Sequence, residues 1–354
     1  MPASFKYFIL RSVNAIIVLF VVVFIISLTY SSMSDDILEG IIAEEVRAYA
    51  AGRPEGISDE AWNELVREYR MEREERHGLH DPLWERVVKR TWFTFIGDLG
   101  HTNTRAAYGA ADGRVTTILL HYLPRTILLF TTASVISVSL GIMMGMKAAQ
   151  LAGSKVDKFL SIFGIVTSSM PMWWVGMLVI LIFAFGLGWF PASAYPFPSP
   201  DEGFSAYYGG ILWRLVMPLG TIVFVSIGGR AWSTRNMVTS VLQDDYIMAA
   251  RAKGVPERKV IYGHTLKTAA PPIITSAILS FLLSIGGAMI TEVIFNWPGM
   301  GYLLRTAIFQ EADLPVIMGI VYITTVLWVF GYLLADLLYG FLDPRVEVGA
   351  EKRV

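Results

Sequence analysis

The feature that most constrains this chain is a succession of apolar runs, each long enough to cross a lipid bilayer. They lie at about Ser12–Tyr30, Thr116–Met146, Val156–Leu187, Ile211–Arg235 and Pro271–Ile294, with a last one opening at Asp313 and Pro315 and running to about Leu342. About 20 helical residues cross a hydrocarbon core of roughly 30 Å, so each run reads as a transmembrane helix. The expected fold is therefore an all-α integral membrane protein with six spans. Composition agrees: of 354 residues 54% are hydrophobic and only 17% charged, on the membrane side of the globular norm. A net charge of −1 gives no indication of a nucleic-acid partner, and the lack of cysteine removes disulfides and thiolate chemistry.

Basic residues set the orientation. Lys6 and Arg11 precede the first run and place the N-terminus in the cytoplasm. A cleaved signal peptide is the rival reading of this start; the length of the run and the lack of a clean small-x-small site favour a retained span. Lys147, Lys155 and Lys158 mark an internal turn, and six spans return the C-terminal tail, 343–354, to the cytoplasm.

Between the first and second spans lies a charged insertion, 31–114, which this topology puts outside. Ile37, Ile41, Ile42, Val46 and Tyr49 form a helical stripe that Gly52 and Pro54 break. Ser58 is placed to cap a second helix, with Asp59 and Glu60 in its first turn, Trp62, Leu65, Val66 and Tyr69 on its apolar face and Gly78 at its end. Asp81 and Pro82 suit the cap and first position of a third. Its Trp84, Val87, Val88, Trp92, Phe93 and Ile96 suit the lipid boundary, with Arg86, Lys89 and Arg90 on the wet side. Two readings stay open for the insertion: a docking or lid element, or a solvated structural cap.

Within the spans, Gly141 and Gly145 offer a face for close helix packing. Pro171 with Trp174, in SMPMWW, introduces a kink that either lines a pathway near Ser168 and Ser169 or serves packing. The stretch WFPASAYPFPSP reads as an external loop, and Arg230 as a side chain snorkelling to the inner headgroups. Glu292 approaches lipid depth before FNWPGMG, whose Pro298 and Gly299 force a turn.

Gln243–Pro272 is a basic island between two spans, and it reads as helix, glycine break, helix. Residues 248–253 favour helix, Gly254 suits a left-handed residue past the helix end, and Pro256 suits the start of the next helix. Such a bent pair on a cytoplasmic face is a shape for a soluble partner to grip; a loop that only fixes topology is the plainer reading. No G-x-x-x-x-G-K-[ST], H-E-x-x-H or G-x-S-x-G occurs, and the five histidines lack metal-ligand spacing, so nothing supports catalysis or a metal site.

With DYIMAARAKGVPERKVIYGHTLKTAAPP, GDLG, SMPMWW, WFPASAY, EVIFNWPGMG and DPRV in hand, the chain resembles the permease subunits of ATP-binding-cassette importers, in the dipeptide/oligopeptide/nickel family. It departs from the pattern at Met248, Ala249 and Thr268. The resemblance implies a type I importer transmembrane domain: a five-helix core at 115–342 after the first helix, 1–30, and the insertion. It implies an ATPase-coupling loop at about 240–270 carried by Asp245, Tyr246, Ala249, Ala250, Arg251, Lys253, Gly254, Val255, Pro256 and His264. Pathway or gate candidates are Pro171, Trp174, Glu292, Pro298 and Gly299. The implied partners are a homologous second permease, two ATPases that use ATP and magnesium, and an extracytoplasmic binding protein, all at a prokaryotic cytoplasmic membrane; this chain itself would bind no cofactor. The implied cargo is peptide, with oligosaccharide or nickel as alternatives. A stand-alone secondary transporter is the competing class; it predicts inverted repeats and acids deep in the spans. Gly254→Asp is expected to uncouple ATP hydrolysis from uptake.

Overall fold

The structure, a computed structural model, describes residues 3–342 except 55, 77–78, 103, 105–107, 109–111 and 286–288. The expected helix end at Gly78, the histidine His77, the DPRV segment and the tail 343–354 lie outside the described residues. All regular elements among the described residues are helical. Among the described residues, four helical stretches are long and apolar enough to span a membrane: Phe8–Met33, Val115–Gln150, Phe204–Leu242 and Leu314–Ala335. A fifth candidate is the pair Lys155–Ser169 and Met172–Gly186, bent by 97°.

The first helix, α1 (Ala3–Ala51), does not stop at Tyr30. The apolar run and the first stripe of the insertion are one rod, because polarity changes at Ser31 while no proline interrupts the run before Gly52, and a single glycine, Gly40, is tolerated inside a helix. Hydroxyls at the change-over bond back into the helix, Thr29 to the Ile25 carbonyl and Ser32 to the Thr29 carbonyl, both at 2.9 Å. Helix α2 (Asp59–Arg76) starts as expected, with the Ala61 amide donating to Ser58 Oγ at 3.3 Å. Tyr49 stacks on both Trp62 and Tyr69, at 5.3 and 4.2 Å, and holds α2 back against α1.

Helix α3 (Leu83–Phe95) corrects the expected orientation. Arg86 donates two hydrogen bonds to Asp35 on α1, and the Arg90 guanidinium lies 3.6 Å from the centre of the Tyr30 ring. Those cations face a 390 Å³ cleft among α1, α3 and α13, with Phe93 at its border, while Trp84, Val88, Trp92 and Ile96 stay exposed on the outer side. Both faces are used, because an arginine stem packs on apolar surface once its head finds an acid or a ring. Asp81 caps nothing: its carboxylate accepts from Lys89 at 3.1 Å, and Pro82 holds the cap position with extended backbone.

Helix α4 (Val115–Gln150) is the axis of the remainder. Three apolar cores follow one another along it. The first joins Ile118 and Leu119 to Leu303, Val316 and Ile320; the second joins Leu129 and Phe130 to Leu215, Ile222 and Trp297; the third joins Met146 and Ala149 to Val238, Ile261 and Ile273. Most of those partners come from α7 (Phe204–Leu242), α10 (Leu266–Ile285), α12 (Met300–Phe309) and α13 (Leu314–Leu342); Ile261 comes from the turn before α10 and Trp297 from the link before α12. The α4–α7 approach needs the glycines singled out in the sequence. A Cβ on Gly145 would lie 2.5 Å from the Ala231 carbonyl oxygen, and one on Gly141 would lie 2.7 Å from Arg230 Cβ. A second glycine crossing was not anticipated: a Cβ on Gly164 of α5 (Lys155–Ser169) would lie 2.7 Å from the Gly228 carbonyl oxygen of α7. Past it, Arg235 of α7 forms a two-pronged pair with Asp157 of α5 at 2.8 and 2.9 Å.

Pro171 does more than kink a helix. It ends one and caps the next, α6 (Met172–Val179), with φ −61° and ψ 126°, and α6 continues as a π-helical turn, Ile180–Gly186. Ser168 and Ser169 return their hydroxyls to their own helix, to the Gly164 and Ile165 carbonyls at 2.7 and 2.8 Å. The expected fifth span begins earlier than its prolines: Pro271 and Pro272 lie inside α10. The carbonyls they strand belong to Lys267 and Thr268, both exposed residues.

Candidate functional site

The connection between α7 and α10 is an ordered elbow. Helix α8 (Asp245–Ala252) ends at Lys253, and Gly254 follows with φ +74°. The Gly254 amide donates to the Arg251 carbonyl at 2.9 Å and the Val255 amide to the Ala250 carbonyl at 3.2 Å. This paired arrangement closes a helix on a left-handed residue and satisfies two carbonyls that would otherwise be stranded. No atom lies within 4 Å of a Cβ placed on Gly254, so the demand for glycine here is conformational and not steric.

The second arm starts at once. Pro256, with φ −57° and ψ 137°, stands one residue before α9 (Glu257–Lys259), as its cap and not its first residue. A π-helical turn, Val260–Thr265, then carries the chain into α10. Arg251 clamps the two arms, bonding Glu257 Oε1 and Oε2 at 2.6 and 3.1 Å across the bend. That guanidinium holds the Glu257 carboxyl below its ordinary range. Tyr246 Oη donates to Thr268 Oγ1 at 2.8 Å, so the first turn of α8 is tied to α10.

Beneath these polar ties the elbow is anchored by residues that the sequence reading missed. Ile247 and Val260 are fully buried and Ile261 nearly so. Their signal was present, an isoleucine and a valine in a basic loop, but which basic-loop apolar residues face inward depends on how α8 folds back. The outward face of the elbow carries Asp245, Ala249, Arg251, Lys253 and His264, with exposed Tyr246, Met248 and Tyr262. Ala250 and Val255 are half-buried and Pro256 is exposed. The expected coupling residues are thus brought to one ordered projection, split between an exposed surface and a partly buried root.

The gate candidates divide. Glu292, Pro298 and Gly299 meet in one buried cluster between α4, α11 (Met289–Ile294) and α12. Glu292, 1% exposed, accepts from Thr126 Oγ1 at 2.7 Å and from the Gly301 amide at 2.5 Å, while Thr126 also accepts from the Met300 amide at 2.7 Å. The first two amides of α12 therefore end on a carboxylate and a hydroxyl, where a helix start favours acceptors and negative charge. A Cβ on Gly299 would overlap both the carboxylate and Thr126. Trp297, fully buried, donates its Nε1 to the Arg125 carbonyl at 3.1 Å. Thr126, Arg125 and Trp297 escaped the sequence reading because Thr126 lies 166 residues from Glu292 and Arg125 lies 172 from Trp297 along the chain. Pro171 and Trp174 are elsewhere: Trp174 is 41% exposed, and α6 approaches the cluster through Gly176, against Phe295, and through Met172, against the core that holds Trp297.

Comparisons with known proteins fit this architecture. Residues 137–348 match the family described as binding-protein-dependent transport system inner membrane component. The chain is 32% identical to the oligopeptide transport system permease protein AppB of Bacillus subtilis over 77% of its own length and 83% of the relative's. It is 31% identical to the di/tripeptide transport system permease protein DppB of Pseudomonas aeruginosa, over 77% and 83%. Among solved structures it is similar to a chain of the MetNI methionine ABC transporter, captured in inward-facing conformations, with a TM-score of 0.51 at 13% identity, covering 64% of this chain and 96% of that one. That likeness shows the fold, the transmembrane domain of a type I ABC importer. A multi-pass helical membrane chain with this fold, this family match and relatives over three-quarters of its length belongs to the permease subunits of binding-protein-dependent ABC transport systems.

Proposed function

We propose that the chain forms half of the translocation pathway of an ATP-driven peptide importer, and that the α8–α9 elbow is its coupling element. The observation that carries the reading is the elbow itself: a bend locked by Gly254, clamped by Arg251–Glu257 and rooted on Ile247, on the short link between two long helices. A rigid projection of this kind passes a push on its tip to α7 and α10, whereas a loose loop would absorb it. ATP and magnesium are used by two cytoplasmic ATPase subunits. A second, homologous permease completes the pathway, and an extracytoplasmic binding protein delivers the substrate. Alternating access then comes from rigid-body movement of packed helices driven by another chain. Peptide as cargo rests on the oligopeptide and di/tripeptide names of the relatives.

In this reading there are six spans in a prokaryotic cytoplasmic membrane, α10 with α11 supplying the one not counted above. Both termini are cytoplasmic, and the helical insertion after Met33 lies outside. Proline and tryptophan at 171 and 174 belong to the pathway wall, and the Glu292 cluster holds its outer closure. The test uses the lack of native cysteine. Lys253→Cys, on the exposed tip of the elbow, should react with a membrane-impermeant maleimide only from the cytoplasmic side and be shielded when the ATPases are bound. Labelling from outside intact cells, or uphill peptide uptake by this chain alone in vesicles, would overturn the reading.

A further inference from the structure

Helix α7 carries three arginines, and two of them have partners. Arg214 donates to the Gly210 carbonyl at 3.2 Å, and Arg235 is held by Asp157. Arg230 has none among the described residues. Its Nε is buried without a hydrogen-bond partner, and no carboxylate among the described residues pairs with it. The side chain borders a 220 Å³ cavity between α4, α7 and α10, lined also by Val138, Ile142, Ser233, Thr234, Ile273 and Ser276. The cavity thus has apolar walls, three hydroxyl-bearing residues and one guanidinium.

Snorkelling, the expectation from sequence, does not account for it. Arg230 stands five residues before Arg235, about 7.5 Å further from the elbow along the helix. Helical side chains lean toward the N-terminus of their own helix, which here is away from the elbow. The stem is also pinned, since Arg230 Cβ occupies the space left by Gly141 on α4. An unpaired cation within a bundle of apolar spans is costly, and such groups mark a pathway by default. A guanidinium in this setting calls for an anionic partner from outside the chain. A guanidinium presents a planar fork of donors that fits a carboxylate with two parallel bonds.

We propose that Arg230 is a binding station for the substrate's carboxylate, the C-terminal group in the case of a peptide, with Ser233 and Ser276 beside it. The assignment rests on the peptide-importer reading and names a specificity residue within it. A passing peptide is neutralised by Arg230 at its charged end, while the apolar cavity walls discriminate little among side chains. One conserved chemical feature of every unmodified peptide is thereby recognised without selecting its sequence.

The experiment uses the complete importer, both permeases with the ATPases, reconstituted in vesicles with saturating loaded binding protein. It compares a peptide and its C-terminal amide, chosen so that the binding protein holds the two equally. Wild-type protein should take up the free acid in preference to the amide by about 10- to 100-fold, the range of one charged hydrogen-bonded contact. Arg230→Met, which keeps the packing stem, should abolish that preference, and Arg230→Lys should keep part of it. Thermal unfolding in detergent should show Arg230→Met at least as stable as wild type, because only an unpaired charge has been removed. A preference unchanged in Arg230→Met, or wild type indifferent to the amide, overturns the assignment. Uptake of neither peptide by wild type overturns the peptide reading and the assignment with it, an outcome visible before any variant is made.

Discussion

The elbow gives the most discriminating prediction, because conformation and volume make opposite demands there. Gly254 sits at φ +74° with open space around its missing Cβ. An L-residue in that conformation costs about 1–2 kcal/mol, less for asparagine, which visits it readily. The alternative to paying that strain is to open the bend. Opening releases the two amide–carbonyl bonds that close α8, about 0.5–1.5 kcal/mol each, and unlocks the exposed Arg251–Glu257 clamp, worth at most about 1 kcal/mol. Helix α8 has only eight residues, too few to persist without its ends fixed. A strain of about 1–2 kcal/mol shifts the closed-to-open ratio by roughly 5- to 30-fold. Peptide taken up per ATP hydrolysed, in vesicles holding the whole complex, should therefore fall in the order glycine, asparagine, alanine, valine. Complex assembly, read by co-purification, should fall less, since the exposed gripping residues remain. If the loss instead followed side-chain size, with asparagine worse than alanine, backbone conformation would not be the cause. An alanine variant equal to wild type would refute the rigid-elbow argument outright.

Other perturbations test the packing that positions the elbow and the outer cluster. Thr126→Val should destabilise the protein by about 1–3 kcal/mol for each buried group left unpaired, here the Met300 amide and a Glu292 oxygen, read as a lower unfolding midpoint in detergent. Gly145→Ala should cost about 1–3 kcal/mol by the same measurement, because the new methyl meets α7 backbone that cannot turn aside. Arg86 holds the Asp35 carboxyl below its ordinary value, so this pair stabilises the α1–α3 contact fully above the unfolded value of about 3.9 and loses that contribution as pH falls through the lower folded value. Half-exposure limits the effect to at most about 1 kcal/mol, and Asp35→Asn should flatten the change in α3 amide-exchange protection between pH 7 and pH 3 that wild type shows.

Local chemistry was legible in the residues. The Gly254 bend, the Ser58 cap and the spans themselves depend on propensity, on backbone freedom and on length, all of which act within a few residues. The continuity of α1 past Tyr30 was legible too, since no proline occurs before Gly52 and a lone Gly40 does not end a helix; a boundary drawn from polarity alone hides it. The proline at 171 illustrates a half-legible case, since its residue type announces a bend but not a 97° break.

Long-range pairing decided the rest. Whether Arg86 and Arg90 face water or protein turns on Asp35 and Tyr30, more than 50 residues away, and a helical wheel holds no record of them. Glu292 reads as an exposed liability until α4 brings Thr126 to it and α12 presents its first amides. Arg230 is the converse: three helices border it and none supplies an acid. A sequence specifies which groups need partners, because that is a property of each side chain; which of them receive one is a property of the packed bundle, where distance in space replaces distance along the chain.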